Sequence, residues 1–306
     1  MYDVIIIVGG PAGLTAALYL ERALKEVLVL ETSSPGGQIL TTDKIDNYPG
    51  LPGVSGYEYS HALYKQAKDM GAEFAFERAI EINDKGKTKE VKTEKNTYKA
   101  KAVIIATGAD NRKLGLPNEE KLVGKGISYC ATCDGAFYKK KIVAVNGGGN
   151  TALEEAIYLS KLATKVYLIY RQGEFTKAEK KLIKQVEKTE NIEVIFNTIV
   201  TKLNEKNNKL TSIEITTKGE DPKDLEVSGL FVAVGHVPEN ENFAKLITTD
   251  EAGYIIATED CLTNVPGIFA AGDNRVKEVR QLTTATADGT VAATNAIKYL
   301  NDKGGK

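Results

Sequence analysis

The sequence predicts an α/β protein of two Rossmann-like domains, each a three-layer ββα sandwich shaped to bind a dinucleotide, the second inserted into the first. A strand, glycine turn, helix and strand begin at residue 3 and again at residue 142, and repetition of this kind marks a duplicated unit. An apolar strand ending in glycine also occurs twice, at residues 102–108 and 229–235. A chain of 306 residues has room for about two domains of ordinary size. The expected boundaries are residues 1–110 and 241–306 for the first domain and 114–238 for the inserted one.

Residues 3–8 (DVIIIV) are a short apolar, β-rich run bounded by glycine, the pattern of a buried parallel strand. Gly9, Gly10, Pro11, Ala12 and Gly13 follow as a turn, then residues 14–20 as a helix, with Pro11 suited to its first turn. Residues 27–30 (VLVL) form the next strand, which ends at Glu31. Glycines let the backbone approach a pyrophosphate, the helix N-terminus favours its charge, and an acid in this place holds a ribose hydroxyl. Aligned as G-x-G-x-x-G, the turn supplies Gly10 and Gly13, but its first position is Val8, a stiff β-branched residue where a tight turn is wanted. Gly9 is expected to absorb the turn instead. Two loops follow, Gly36, Gly37 and Gln38, then Asn47, Tyr48, Pro49 and Gly50; alone they read as turn chemistry. A helix over residues 56–70, strands through 79–101 and the buried strand 102–108 lead to a linker at 111–117.

The second unit begins with a strand at residues 142–145 and a G-x-G-x-x-A turn of Gly147, Gly148, Gly149, Asn150, Thr151 and Ala152. A helix over 153–162 and a strand over 166–170 bring Arg171 close to the place Glu31 holds in the first unit. An amphipathic helix is expected at 177–188, and strands at 192–196 and through 200–217. The tail carries a buried strand and turn at 267–273, with Gly272 and Asp273, then Arg280 and Gln281, and a closing helix to about residue 300. The first domain lacks a sheet partner before residue 111, so the tail is expected to return and complete it.

Before the second unit stands Cys130-Ala131-Thr132-Cys133-Asp134. This spacing lets the two sulfurs close a small disulfide ring, and a C-x-x-C setting lowers a thiol pKa. Asp134 is placed to move the proton that thiol chemistry requires. Apolar residues make up 42% of the chain and charged residues 26%, with net charge −1, which leaves no electrostatic footprint for nucleic acid. No apolar run approaches the ~20 residues of a membrane span. The first strand starts at Tyr2 or Asp3, leaving no room for a signal peptide, so a cytoplasmic setting is expected. There a C-x-x-C pair is redox-active or metal-binding more often than structural. A zinc site would have to gather His61, His236 or Cys261 from far away, so no metal is expected.

Two nucleotide units and one dithiol make an electron path from a nicotinamide through a flavin to a disulfide. Glu31 would repel a 2′-phosphate and accept from a free ribose hydroxyl, which suits FAD. Arg171 offers positive charge, which suits a 2′-phosphate and hence NADPH. A dithiol oxidase on the same fold and a flavin-free binding protein are the competing readings.

The constellation resembles the low-molecular-weight bacterial thioredoxin reductases, which are FAD-dependent pyridine nucleotide-disulfide oxidoreductases. The resemblance covers essentially the whole chain, and its most specific part is Cys130 to Asp134 just before the second glycine turn. The loops carrying Gly37, Gln38 and Asn47, and the tail segments with Gly272, Asp273, Arg280 and Gln281, are similar to the family's flavin-contacting segments. The resemblance implies that Gly10, Pro11, Ala12, Gly13 and Glu31 hold the FAD adenosine and pyrophosphate. It implies that Gln38, Asn47, Asp273 and Gln281 contact the ribityl chain or the flavin, and that Gly147, Gly149, Asn150, Thr151 and Arg171 serve NADPH. By the same resemblance Cys133 lies nearer the flavin, Cys130 attacks the disulfide of thioredoxin, Asp134 is the acid–base group, the smaller domain rotates, and the protein is a homodimer. At the nicotinamide site the family pattern is His-Arg-Arg with a further arginine. Here Tyr170, Arg171 and Gln172 stand in that place, Lys177 is the later cation, and Glu174 adds negative charge. Asn146 ends a strand where an apolar residue is usual. These residues leave NADPH, NADH or another donor such as reduced ferredoxin open.

Overall fold

The computed structural model describes residues 1–306 except Asp43, Lys177, Gly305 and Lys306, and it forms two units. One comprises Met1–Asp110 and Val237–Lys306, the other Asn111–His236. The chain begins β1 (Tyr2–Ile7), α1 (Pro11–Arg22), β2 (Val27–Glu31), α2 (Gly56–Asp69), β3 (Glu73–Phe76), β4 (Ala79–Asp84), β5 (Lys89–Thr93), β6 (Thr97–Ile105) and β7 (Ala109–Asn111). The apolar runs become the central strands, because only a strand covered on both faces can hide every side chain. Ile5 sits in parallel register between Leu28 of β2 and Val103 of β6. Val4, Ile5 and Ile6 are fully buried, and each such side chain contributes ~1.5–3 kcal/mol. α1 starts on Pro11 and buries an alanine-rich face, Ala12, Ala16 and Ala17, against the sheet. α2 starts with a capping box, in which Ser55 and Glu58 satisfy each other's backbone N–H.

The second unit contains α3 (Glu119–Leu122), β8 (Ile127–Ser128), α4 (Ala131–Asp134), β9 (Ile142–Asn146), α5 (Asn150–Ser160), β10 (Lys165–Ile169), α6 (Lys180–Glu187), β11 (Ile192–Ile195), β12 (Thr198–Lys206), β13 (Lys209–Thr217), β14 (Lys223–Glu226) and β15 (Gly229–Val232). Its parallel sheet has the order β11-β10-β9-β15-β8, and β12-β13-β14 form a separate antiparallel sheet. Helices α5 and α6 share one apolar core with the parallel sheet. The antiparallel strands share the other, where Leu203, Ile213 and Ile215 meet Ala144 and Leu230. That is the ββα layering.

β16 (His236–Pro238) leads back to the first unit, where β17 (Ile268–Ala270) and α7 (Leu282–Gly304) finish the chain. β17 adds to β6 in parallel, Ile268 beside Val103. The first unit's sheet is therefore β3-β2-β1-β6, with β17 and the β4–β5 hairpin dividing the far side of β6 between them. Helices α1 and α7 cover one face. The hairpin and the segment carrying Phe243, Ile247 and Ile255 cover the other. The fold is thus α/β with two Rossmann-like units, the second inserted in the first. No helix among the described residues is long and apolar enough to cross a membrane.

Two local expectations are corrected, and four short elements were not expected. Gly9 does not absorb the turn after β1; Val8 does, at φ 76°. The amphipathic helix is α6, starting at Lys180 rather than 177, and Lys177 itself lies outside the described residues. β3, β8, β14 and α4 have only two to four residues each, too short for a periodic pattern to announce them.

Candidate active site

The dithiol sits where β8 hands over to α4. Cys130 and Cys133 are joined as a disulfide, with Cα atoms 5.3 Å apart. The Cys133 N–H donates to Cys130 Sγ at 3.2 Å, and Thr132 Oγ1 lies 3.3 Å from the same sulfur. A donor aimed at a sulfur stabilises its thiolate over its thiol, so the local fold favours the anion of Cys130. Ser128, buried at the end of β8, donates through Oγ to Asp134 Oδ2 (2.7 Å) and accepts the Cys130 N–H (3.1 Å). From below, Ala131 N–H donates to Glu155 Oε1 on α5 at 3.0 Å. Gly135 lets α5 come this close, since a Cβ there would stand 2.9 Å from the Tyr158 ring. Burial pushes the nearby Tyr138 hydroxyl up to about 12, and the Asp134 charge adds to it.

In the first unit, α1 begins at Gly10 with no side-chain cap and no acid in its first turn. Its leading N–H groups are therefore available to an anion. Gly13 is required: a Cβ there would lie 2.2 Å from the Val8 carbonyl oxygen. The Pro11 carbonyl accepts from Thr15 Oγ1, and the Ala12 carbonyl lies where α7 passes closest. Glu31 is buried, its Oε2 accepting the Gly9 N–H (2.9 Å) and its Oε1 the N–H groups of Thr32 and Ser33. Gly37, at φ 67°, brings its backbone against Gly10, so close that a Cβ on it would be 3.2 Å from the Gly10 Cα. Gln38 Nε2 donates to the Ala109 carbonyl and to Asp110 Oδ1. Asn47 Nδ2 donates to Gln281 Oε1 at 3.1 Å, joining two candidates that are 234 residues apart in sequence.

Gly272, at φ 90°, donates its N–H to Asp288 Oδ2. Asp288 is also held by Arg275 and Lys277, 2.8 and 3.0 Å away. Next to it Asp273 keeps Oδ1 buried with no hydrogen-bond partner among the described residues, and burial pushes its carboxyl up. Arg280 lies over the Tyr254 ring at 4.2 Å and donates to the Asp273 carbonyl. Cys261 is fully buried, and burial pushes its thiol up to about 12.

In the second unit, α5 likewise starts at Gly149 with no side-chain cap and no acid in its first turn. Gly147, at φ 156°, packs against the Ala233 carbonyl, where a Cβ would be 2.3 Å away. Asn150 exchanges two hydrogen bonds with Glu179, and Thr151 and Arg171 are exposed. Tyr170 presses its ring on Gly148, stacks on Phe175, and donates its hydroxyl to Gln172 Oε1, which also accepts from Thr176. Asn146 ends β9 in register with Ile169 and Val232.

Sequence reasoning assigned no role to Ser128, Glu155 or the Arg275–Lys277–Asp288 cluster. Asp288 left a signal: one acid inside the alanine-rich stretch 285–293 of a packed helix needs a buried partner. Ser128 and Glu155 left none.

A disulfide whose segment is tied to two acids, Asp134 through Ser128 and Glu155 through the Ala131 N–H, in a fold with two helix N-termini bared by glycine turns, is the equipment of an oxidoreductase that acts on disulfides. Residues 2–289 match the family model of the pyridine nucleotide-disulphide oxidoreductases, and the chain belongs to that family. It is 44% identical over 303 residues to a thioredoxin reductase of Listeria innocua, covering 99% of this chain and 95% of the relative. It is 41% identical over 304 residues to one from Bacillus subtilis, covering 99% and 96%. It also superposes on the crystal structure of thioredoxin reductase from Streptococcus pyogenes MGAS5005, with a TM-score of 0.93, 39% identity and 99% of each chain covered. The family implies a flavin and a nicotinamide cofactor.

Proposed function

We propose that the chain is a thioredoxin–disulfide reductase with FAD as its flavin and NADPH as its donor. The observation that carries the reading is the Cys130–Cys133 disulfide, with the Cys133 N–H on Cys130 Sγ and Asp134 fixed beside it by Ser128. The full-length likeness to thioredoxin reductases supports the substrate.

The residues fit both groups. The uncapped start of α1 and the Gly10–Gly37 approach suit a pyrophosphate, Glu31 a ribose, and the orphaned Asp273 Oδ1 a polar group of the ligand. Gln38, Asn47, Arg280 and Gln281 would line the flavin's end. The uncapped start of α5, with Gly147, Gly149, Asn150 and Thr151, suits the second pyrophosphate, and Arg171 a 2′-phosphate. A bound flavin supplies two-electron chemistry between a nicotinamide and a disulfide.

The chain's own residues do the thiol work. Cys130, its anion favoured by the Cys133 N–H, attacks a sulfur of the thioredoxin disulfide; a mixed disulfide forms and the partner's other sulfur leaves as a thiolate, which Asp134 protonates. Cys133 then attacks Cys130 Sγ, re-forming the intramolecular bond and releasing the second thiol. The same reading includes a cytoplasmic homodimer, for which sedimentation at several concentrations is the test.

Anaerobic titration with NADPH is expected to bleach the flavin band and then to reduce added thioredoxin. A Cys133→Ser variant is expected to lose turnover by several orders of magnitude. Full-rate thioredoxin reduction by that variant ends the assignment, and bleaching by NADH or reduced ferredoxin alone replaces the donor.

A further inference from the structure

Glu155 is an acid at the dithiol to which the reaction above gives no part. It lies on the second turn of α5, accepts the N–H of Ala131 between the two cysteines at 3.0 Å, and keeps Oε2 buried with no hydrogen-bond partner among the described residues. We propose that Glu155 is a positioning and proton-holding residue of the dithiol: it seats the Cys130–Cys133 segment through Ala131 and takes up a proton when the disulfide is reduced. The proposal rests on that pair being the redox centre.

The chemistry balances. Reduction breaks the Cys130–Cys133 bond and adds two electrons from the enzyme's donor, leaving two sulfur anions. One proton makes Cys133 a thiol. Cys130 remains a thiolate beside the Cys133 N–H and the Thr132 hydroxyl. The second proton goes to the Glu155 carboxylate, so the net charge of the dithiol and Glu155 together is the same before and after. A new anion near a buried carboxylate raises that carboxylate's hold on its proton, which is what couples the two groups.

The surroundings support this. Burial pushes the Glu155 carboxyl up to about 7 against the pull of the Ala131 N–H, with Asp134 and Glu154 adding to the rise. The titratable groups nearby are the two cysteines and Asp134 on the dithiol segment, Tyr138 just after it, and Glu154 and Tyr158 on α5. The side chains that β9, β10 and α6 bury against this helix are apolar, including Val145, Leu168 and Val186, and Glu179, just before α6, meets it at Asn150.

The test uses the whole flavin-loaded chain. Protein is poised in glutathione redox buffers from roughly pH 5.5 to 8.5, quenched by alkylation, and its dithiol fraction counted by mass. Glu155→Gln keeps an oxygen for the Ala131 N–H but cannot titrate. Wild type and variant are expected to run parallel below about pH 7, where Glu155 already holds its proton. Above it, the wild-type equilibrium constant for reduction should fall an extra tenfold per pH unit, about 30 mV for a two-electron couple. Parallel profiles throughout, superimposed or offset, overturn the proposal. So does a wild-type profile with no bend near neutrality, which needs no variant. The readout is sulfur alone. Full thioredoxin turnover with parallel profiles would remove only the role of Glu155, and a bend without turnover would remove only the proposed substrate.

Discussion

Val8 carries a β-branched side chain at φ 76°, where the dinucleotide turn ordinarily has glycine. An L-residue in that region costs ~1–2 kcal/mol, and glycine elsewhere costs ~0.5–1 kcal/mol relative to alanine through chain entropy. The two terms set a reversed order. Val8→Gly should be more stable than Val8→Ala by about 1 kcal/mol in denaturant unfolding. An alanine variant that equals or exceeds the glycine variant would show that the turn is unstrained. At the other nucleotide end, Gln172 is pinned by Tyr170 and Thr176 beside the exposed Arg171. Gln172→Arg should raise the NADPH-over-NADH ratio of kcat/KM by roughly ten- to a hundredfold, the worth of one charged phosphate contact. No change in that ratio would place the residue away from the ribose. The Cys130–Cys133 pair was legible because its spacing is written in four consecutive residues. Ser128 and Glu155 were not, since each meets the dithiol only after β8 and α5 are laid down. Val8 was legible as an anomaly, but the assumption that a neighbouring glycine would yield was wrong. The left-handed turn is fixed by position, because the Val8 N–H must still reach the Leu30 carbonyl at 2.8 Å.

Among the elements, α1 and α7 depend most on small residues. A Cβ on Gly289 would lie 2.2 Å from the Ala12 carbonyl and 3.0 Å from the Thr15 Cβ. That close approach keeps α1, and with it the glycine turn at its start, seated against its neighbours. Gly289→Ala should therefore destabilise the protein by ~1–3 kcal/mol, the usual cost of overpacking, and weaken flavin retention on dialysis. Unchanged stability and retention would mean that α7 shifts at no cost. The long apolar strands were readable because burial on both faces leaves no other composition. β17 was readable for the same reason, as was its need for a partner, which β6 supplies. The short β8 and α4 were not, because β8 has only two residues to pair with β15 and α4 is held by side chains from outside it, Ser128 and Glu155.

At the scale of the whole chain, the two units have separate cores, so ligand binding should act on them one at a time. Thermal unfolding is expected to show two transitions. Flavin at a hundred times its Kd should stabilise one of them by about 2.7 kcal/mol and leave the other in place. A single transition that moves as a whole would show the units to be one cooperative body. The duplication was visible in the sequence as repeated glycine turns and repeated strand endings, which is why the architecture could be read without a structure.

The ends of the inserted unit are neighbours: the Arg112 N–H donates to the Gly235 carbonyl at 2.9 Å. On the other side of the crossing, Thr107 and Asn240 are hydrogen-bonded at 2.9 Å. The sulfur-bearing module therefore enters and leaves its host through one doorway. A short turn from residue 107 to residue 240 would close the host over the gap, so a cassette of this kind can be lost, gained or exchanged without redrawing the sheet that receives it.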